Sequence, residues 1–247
     1  MVDNPTITTT KRINFWSSPR NISTALMYSF AQRADLRVVD EPLYAHYLLR
    51  QTTDADHPGR EAILASQEND GELVVREMLQ KDYGAAGVLF KQMTHHLVDL
   101  DRGFMRKMNN VLLIRDPRAI LASFSKVVDE VTAEDIGLPQ QHALFRELSA
   151  EGTPPIIVDA RRLLLDPAGV LEKLCTALGL EYTDRMLRWS AGARPEDGVW
   201  APYWYANVHK STGFQPYQEK TYHLSPRLER IAERCAPLYA ELLDHAL

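Results

Sequence analysis

Apolar residues gather in short bunches along this chain, and the longer polar stretches between them carry helical spacing. Lys11–Trp16, Leu36–Val39, Gly87–Phe90, Val111–Ile114 and Pro155–Val158 are five apolar runs of strand length. After the first run, Ser23–Arg33 has helical spacing with Leu26, Phe30 and Ala34 on one side, and the charged stretch Arg60–Lys81 predicts a further helix. Asp116-Pro117 follows the fourth run at once. Asp caps free amides and Pro suits a first turn, so a helix is predicted over Arg118–Glu130. Pro167–Leu178, stopped by Gly179, and Pro226–Leu243 complete the helices.

Strands that alternate with helices predict parallel pairing, because a crossover helix returns the chain to the same edge of a sheet. The expected fold class is therefore α/β, a central parallel sheet flanked by helices. No internal repeat or low-complexity linker divides the 247 residues, and a chain of this length can bury one sizeable core, so one domain over 1–247 is expected. Gly192–Gln218 is rich in aromatics, Pro and Gly and reads as an ordered loop region covering a site.

Composition narrows the function classes. Hydrophobic residues at 45% and charged residues at 25% are the balance of a globular protein and not of a disordered one. With 28 Lys and Arg against 33 Asp and Glu the formal charge is −5, which argues against general affinity for nucleic acid or acidic membranes. Any anion site must then be local. The opening Met1-Val2-Asp3-Asn4-Pro5 lacks the order of a secretory signal, and no stretch approaches the roughly 20 apolar residues of a membrane span. A cytoplasmic location is expected. Cys175 and Cys235 fall in separate helices, with no CxxC and no His at metal spacing, and read as buried thiols.

Two segments carry candidate chemistry. In Phe15-Trp16-Ser17-Ser18-Pro19-Arg20-Asn21-Ile22-Ser23-Thr24 a strand breaks into a polar turn and restarts as a helix. Amides at a helix start are unpaired and carry the positive end of the dipole, so a phosphate fits there with Arg20, Ser23 and Thr24 adding donors. In an open parallel sheet ligands bind beyond the carboxyl ends of the strands, where this turn falls. The segment is not the ATP-type P-loop, since no Gly or Lys stands between Ser17 and Thr24. In the second segment, Val111–Ser123, a strand delivers Arg115 to the same edge. Ser123 lies two helical turns beyond Asp116, so Arg115 and Ser123 can share one anion. Taken singly, each segment also reads as plain structure: a capped helix with a solvated Arg, and an Arg paired with a local carboxylate.

Together the two segments resemble the sulfotransferase family, with its P-loop NTPase-like architecture, and especially its carbohydrate-sulfotransferase branch. There a Ser-x-Arg-Ser-Gly-Ser-Ser/Thr loop holds the 5′-phosphosulfate end of 3′-phosphoadenosine-5′-phosphosulfate (PAPS), and Arg-Asp-Pro-Arg-Ala-x-x-x-Ser holds the 3′-phosphate. The resemblance implies that Ser18, Pro19, Arg20, Asn21, Ile22, Ser23 and Thr24 form the first site, and Arg115 and Ser123 the second. Asp40-Glu41-Pro42-Leu43-Tyr44 is similar to the family's Glu-Pro after the second strand, and Leu165-Asp166-Pro167 with Leu178-Gly179-Leu180 to its Asp-Pro helix ending in Leu-Gly-Leu. The order along the chain also matches. In the family a late loop often closes over the 3′-phosphate, which makes Lys210, Ser211 and Thr212 candidates, with a plain solvated loop as the alternative.

Departures from the pattern bear on geometry and on the base. Ile22 stands where the family has Gly, so the loop must run through helical or extended angles at that residue. Cytosolic relatives carry Lys-Thr-His-Leu-Pro after the third strand; here Lys91-Gln92-Met93-Thr94-His95-His96 keeps the Lys but puts Met93 at the His. Sulfuryl transfer should resemble phosphoryl transfer, with positioning and charge stabilisation dominant. The sulfuryl group carries less charge than a phosphoryl group, so no metal is expected, and Arg20 and Lys91 would stabilise oxygens of the donor. Glu41, which follows a strand directly, is the first candidate for the base, then His95 and His96, then His46 and His209. Trp189, Trp200, Tyr203, Trp204 and Tyr205 are either packing residues or walls of an acceptor pocket. The expected activity is sulfuryl transfer from PAPS to a hydroxyl or amine of a small soluble acceptor whose determinants lie in Tyr44–Lys81 and Gly192–Gln218. A P-loop-type kinase and a non-catalytic adenosine-phosphate-binding module are the alternatives, and the oligomeric state is open.

Overall fold

The computed structural model describes residues 10–51, 57–128 and 130–247, so the opening residues read above for a signal lie outside it. Among the described residues β1 (Lys11–Ser17), β2 (Leu36–Asp40), β3 (Gly87–Met93), β4 (Asn109–Ile114) and β5 (Ile156–Asp159) form one sheet in the order β2-β3-β1-β4-β5. Every pairing is parallel. The helices are α1 (Ser23–Ala31), α2 (Tyr44–Arg50), α3 (Arg60–Ser66), α4 (Gly71–Gln80), α5 (Pro117–Phe124), α6 (Leu138–Ala150), α7 (Ala160–Leu165), α8 (Pro167–Ala177), α9 (Ala201–Trp204) and α10 (Pro226–Asp244). None of them is long and apolar enough to cross a membrane.

The central strands are buried on both faces, which is why they read as continuous apolar runs. Alternation along β1 sends Ile13 and Phe15 into one core with Leu26 and Phe30 of α1 and Leu171 and Leu174 of α8. Trp16 enters the opposite core with Met78 of α4, Ile120 of α5, Leu144 of α6 and Ile231 of α10. Phe15 and Phe30 meet edge to face, with ring centroids 5.0 Å apart; each such buried side chain contributes roughly 1.5–3 kcal/mol. A third cluster, Tyr44, Ala45, Leu48, Ile63, Trp200, Ala201 and Tyr205, joins α2 and α3 to the α9 segment.

The strand order sets where a ligand can enter. From β1 the chain leaves through α1 on one face toward β2, and from β4 it leaves through α5 on the other face toward β5. Neighbouring strands whose connections diverge open a crevice beyond their carboxyl ends. Ser17 and Arg115 stand at that crevice.

The helices depart from the sequence expectation in several places. Arg60–Lys81 is two helices, because the Asp70 carboxylate accepts from the amides of Glu72 (2.9 Å) and Leu73 (3.4 Å) and starts α4 afresh. The helix after Asp116 ends at Phe124 and not Glu130, with Ser125 as its C-cap and Lys126 and Val127 exposed beyond it. Residue 129 is outside the described residues. Helices α2, α6, α7 and α9 were not anticipated. In α6 the buried Leu138, Gln141, Leu144, Phe145 and Leu148 do recur at helical spacing, with Pro139 in the first turn.

Candidate active site

The loop between β1 and α1 is held open by polar side chains that fix the strand ends. Asn21 Nδ2 donates to Leu113 O at the end of β4 (2.9 Å), and Asn21 Oδ1 accepts from the Ile22 amide (2.9 Å). Gln141, fully buried on α6, donates from Nε2 to the same Leu113 O (2.9 Å) and to Trp16 O (3.3 Å). Thr94 Oγ1 donates to Ser17 O at 3.1 Å. Gly137 approaches from behind with φ +70°, and a Cβ there would sit 3.4 Å from Ser18 Cα. Ile22 lies at φ −96°, ψ 24°, and the left-handed residue of the loop is Arg20, φ 56°. The β-branched residue thus avoids the angle it cannot take, and the turn is made two positions earlier. No side chain caps α1, so its first-turn amides around Ser23 and Thr24 have no side-chain partner.

These amides open onto a cavity of about 910 Å³ that is lined by Ser18, Pro19, Arg20, Asn21, Ile22, Ser23, Thr24, Arg115 and Ser123 together with Glu41, Lys91, His95 and His96. Arg20 Nε donates to Ser123 Oγ (3.1 Å), and Arg115 donates to the Arg20 carbonyl. The two arginines therefore face one shared cavity. Burial, and then the charge of Arg115, hold the Arg20 guanidinium below its usual pKa. Two cations beside free helix amides have a net need for an anion.

Opposite them lies a buried charged chain. Asp40 closes β2, Glu41 follows it, and Asp40 is in register with Lys91 of β3. Lys91, with 2% of its side chain exposed, donates to Glu41 Oε1 and to the Tyr205 hydroxyl (2.7 Å), and lies 3.1 Å from Asp40 Oδ1. Tyr205 in turn donates to Asp40 Oδ2 (2.7 Å) and accepts from Trp200 Nε1 (3.0 Å). Burial works against the Lys91 ammonium, yet Asp40, Glu41 and Tyr205 together raise its pKa well above the usual value. The Lys91 ammonium thus has two hydrogen bonds and an ion pair to groups of the protein itself, and it also lines the cavity. Burial pushes Glu41 up to about 7, with Lys91 acting against the shift and Asp40 with it. Its backbone is left-handed, φ 40°.

Aromatic rings close this end of the cavity. Tyr44 and Tyr47 each stack on His96, with centroids 4.9 and 4.8 Å apart, and His95 meets Tyr47 at 5.1 Å. His96 Nε2 is 3.9 Å from Glu41 Oε2. Burial, helped by the charge of His57, lowers His95 to about 4, and burial lowers His96 well below its usual value. Both rings are neutral at pH 7, and their low proton affinity makes them weaker bases than Glu41. His46 and His209 do not line the cavity: His46 Nε2 bonds Val98 O (2.8 Å) and His209 Nε2 bonds Asp197 Oδ2 (2.9 Å).

The late segment divides differently from the sequence expectation. Lys210 and Thr212 are exposed and outside the cavity lining. Ser211 does line it, but its hydroxyl accepts from Trp189 Nε1 (3.1 Å) and donates to Val208 O (2.7 Å). Trp200, Trp204 and Tyr205 form cavity wall, whereas Trp189 packs against Tyr28 and Phe214 and Tyr203 faces outward. Beyond Arg115 a second cavity of about 350 Å³ is lined by Arg115, Arg161, Gln215, Tyr217 and Lys220, with the Arg161 guanidinium 5.2 Å over the Tyr217 ring. Arg161 and Lys220 are cations that the sequence reading missed.

The profile of a sulfotransferase domain matches residues 11–239. An Arabidopsis thaliana protein named branched-chain-amino-acid aminotransferase-like protein 2 is 40% identical over 237 residues, which is 94% of this chain and 41% of that protein. The chain thus spans about two fifths of the length of this curated relative. Among solved structures, the sulfotransferase domain from the curacin biosynthetic pathway superposes with a TM-score of 0.56 at 17% identity, over 92% of this chain and 98% of that one. A mouse sulfotransferase complexed with PAP gives 0.56 at 10% identity, over 96% and 89%. At such identities the two structures speak to the fold, which is the expected parallel sheet of sulfotransferases with its P-loop-like architecture. The profile, spanning nearly the whole chain, decides the family: this chain belongs to the sulfotransferases.

Proposed function

We propose that the chain moves a sulfuryl group from PAPS to a hydroxyl or amine of a small acceptor. The observation that carries this reading is a single cavity with two arginines that have no ion pair among the described residues and a helix start at one end, and a buried carboxylate of raised proton affinity at the other. The fit to a doubly phosphorylated adenosine rests on the cations: Arg20 with Ser18, Ser23 and Thr24 is placed for the 5′ end, and Arg115 with Ser123 for the 3′-phosphate. Arg161 and Lys220 extend the basic surface beyond Arg115. PAPS, when bound, supplies an activated sulfuryl group with adenosine 3′,5′-bisphosphate (PAP) as leaving group. Arg20 and the α1 amides stabilise negative charge at the 5′ end. Glu41, through Oε2, takes the acceptor's proton as its oxygen or nitrogen bonds to sulfur. Tyr44, Tyr47, His95 and Trp200 exclude water from that end.

A thermal-shift titration tests the donor assignment. PAP should raise the melting temperature progressively with concentration, because it binds the native state alone, while ATP with Mg²⁺ should not. The reverse preference would favour a kinase, and stabilisation by PAP without transfer to any acceptor in a labelled-donor screen would favour a binding module.

Arg115→Ala separates the two ends. Loss of a charge-assisted contact of about 1.5–3 kcal/mol should weaken PAP binding by about one to two decades and leave 5′-AMP, which lacks the 3′-phosphate, nearly unaffected. Calorimetric titration of both nucleotides measures this, and equal weakening would reject the assignment.

A further inference from the structure

Asp40 and Tyr205 take no part in the mechanism above, yet both are buried and both contact Lys91, the cation paired with its base. The Asp40 side chain is 1% exposed, and Tyr205 OH sits at a junction: it donates to Asp40 Oδ2 at 2.7 Å while accepting from Lys91 Nζ at 2.7 Å and Trp200 Nε1 at 3.0 Å. The Gly198 amide adds a second donor to Asp40 Oδ2, at 3.2 Å. Lys91 therefore sits between two carboxylates, and its hold on Glu41 Oε1 is set by how strongly Asp40 competes for it. Glu41 Oε2 has no hydrogen bond from the described residues and has His96 Nε2 at 3.9 Å.

We propose that Asp40 and Tyr205 are positioning residues that share Lys91 between the two carboxylates, so that Glu41 keeps one oxygen free toward the cavity. Asp40 draws the ammonium away from Glu41, and the phenol limits that draw by giving Asp40 a neutral donor and Lys91 a third acceptor. Without this balance Lys91 would pair fully with one carboxylate or the other. The groups that face Glu41 are few: Asp40 beside it on β2, Lys91 on β3, His96 in the turn after β3, Tyr44 on α2 and Tyr205 after α9. The loop from Gly198 to Tyr205, which sequence reading assigned to covering the site and to the acceptor, in this way contributes to the proton affinity of the base.

The inference rests on Glu41 as base, but its test needs neither donor nor acceptor. The δ-carboxyl carbon of Glu41 is followed by NMR in the whole ¹³C-glutamate-labelled chain, assigned by the signal lost in Glu41→Gln, and titrated against pH. In Asp40→Asn the neighbouring negative charge is gone and Lys91 is left to Glu41, so the midpoint falls by about one unit or more. In Tyr205→Phe the Asp40 charge is less compensated and draws Lys91, so the midpoint rises. Shifts of opposite sign are the signature of shared positioning, and a packing role for Tyr205 would not produce them. A midpoint unmoved in either variant, or moved the same way in both, overturns the proposal. If the Asp40→Asn variant fails to fold, Tyr205→Phe decides alone: a rise supports the proposal, and no change or a fall rejects it. A failure of sulfuryl transfer would leave this titration intact, so the two readings fall separately.

Discussion

Glu41→Gln is expected to slow turnover by about 10² to 10⁴, the usual contribution of a general base, while PAP binds as it does to the parent chain. The substitution keeps the shape of the side chain and an acceptor for Lys91 Nζ, but the amide cannot take a proton. Glu41 acts as a base only when ionised. Because burial raises its pKa to about 7, kcat/KM of the parent should climb tenfold per pH unit below that value and level above it. In Glu41→Gln the limb disappears along with the rate. The same profile tests the rival base, since His95, lowered to about 4, would put the limb some three units further into acid. Steady-state rates from pH 4 to 9, with an acceptor found by screening, measure both. Unchanged turnover in the variant would exclude Glu41.

The frame of the site was legible because its signals are local. Apolar runs mark β1 and β4, and in each the polar break comes at the residue where the strand leaves the core: Ser17 in one, Arg115 in the other. Ile22 announced that the loop must avoid a left-handed angle there, and the angle appears at Arg20. What could not be read depends on residues far apart. Tyr205 and Asp40 are 165 positions apart, and nothing near either one signals a partner. Gln141, which secures the ends of β1 and β4, looks like any polar residue of a helix until the fold buries it. Lys91 keeps its place in the family motif, but a motif records residue type and not occupancy. Only the fold brings Asp40, Glu41 and Tyr205 together on it.

That convergence makes Lys91→Met the substitution with the largest expected cost to stability. Methionine fills nearly the same volume, so little packing is lost, yet two buried carboxylates are left without their cation. Removing one partner of a buried ion pair typically costs about 3–5 kcal/mol, because the remaining charge stays desolvated. Asp40 keeps donors from Tyr205 and Gly198, whereas Glu41 keeps none among the described residues and should take up a proton. The sign of the pH dependence follows. A carboxyl whose folded pKa lies above its unfolded value favours folding in its protonated form, and that contribution is lost as pH rises through the folded pKa. Burial already raises Glu41 to about 7, and loss of Lys91 raises it further. Urea unfolding should therefore show Lys91→Met about 3–5 kcal/mol below the parent at pH 8 and about 1 kcal/mol less than that at pH 5, because the two chains differ in Glu41 protonation only above pH 7. A loss of the same size at both pH values would assign the effect to packing, and a loss under about 1 kcal/mol at pH 8 would mean that water reaches the carboxylates.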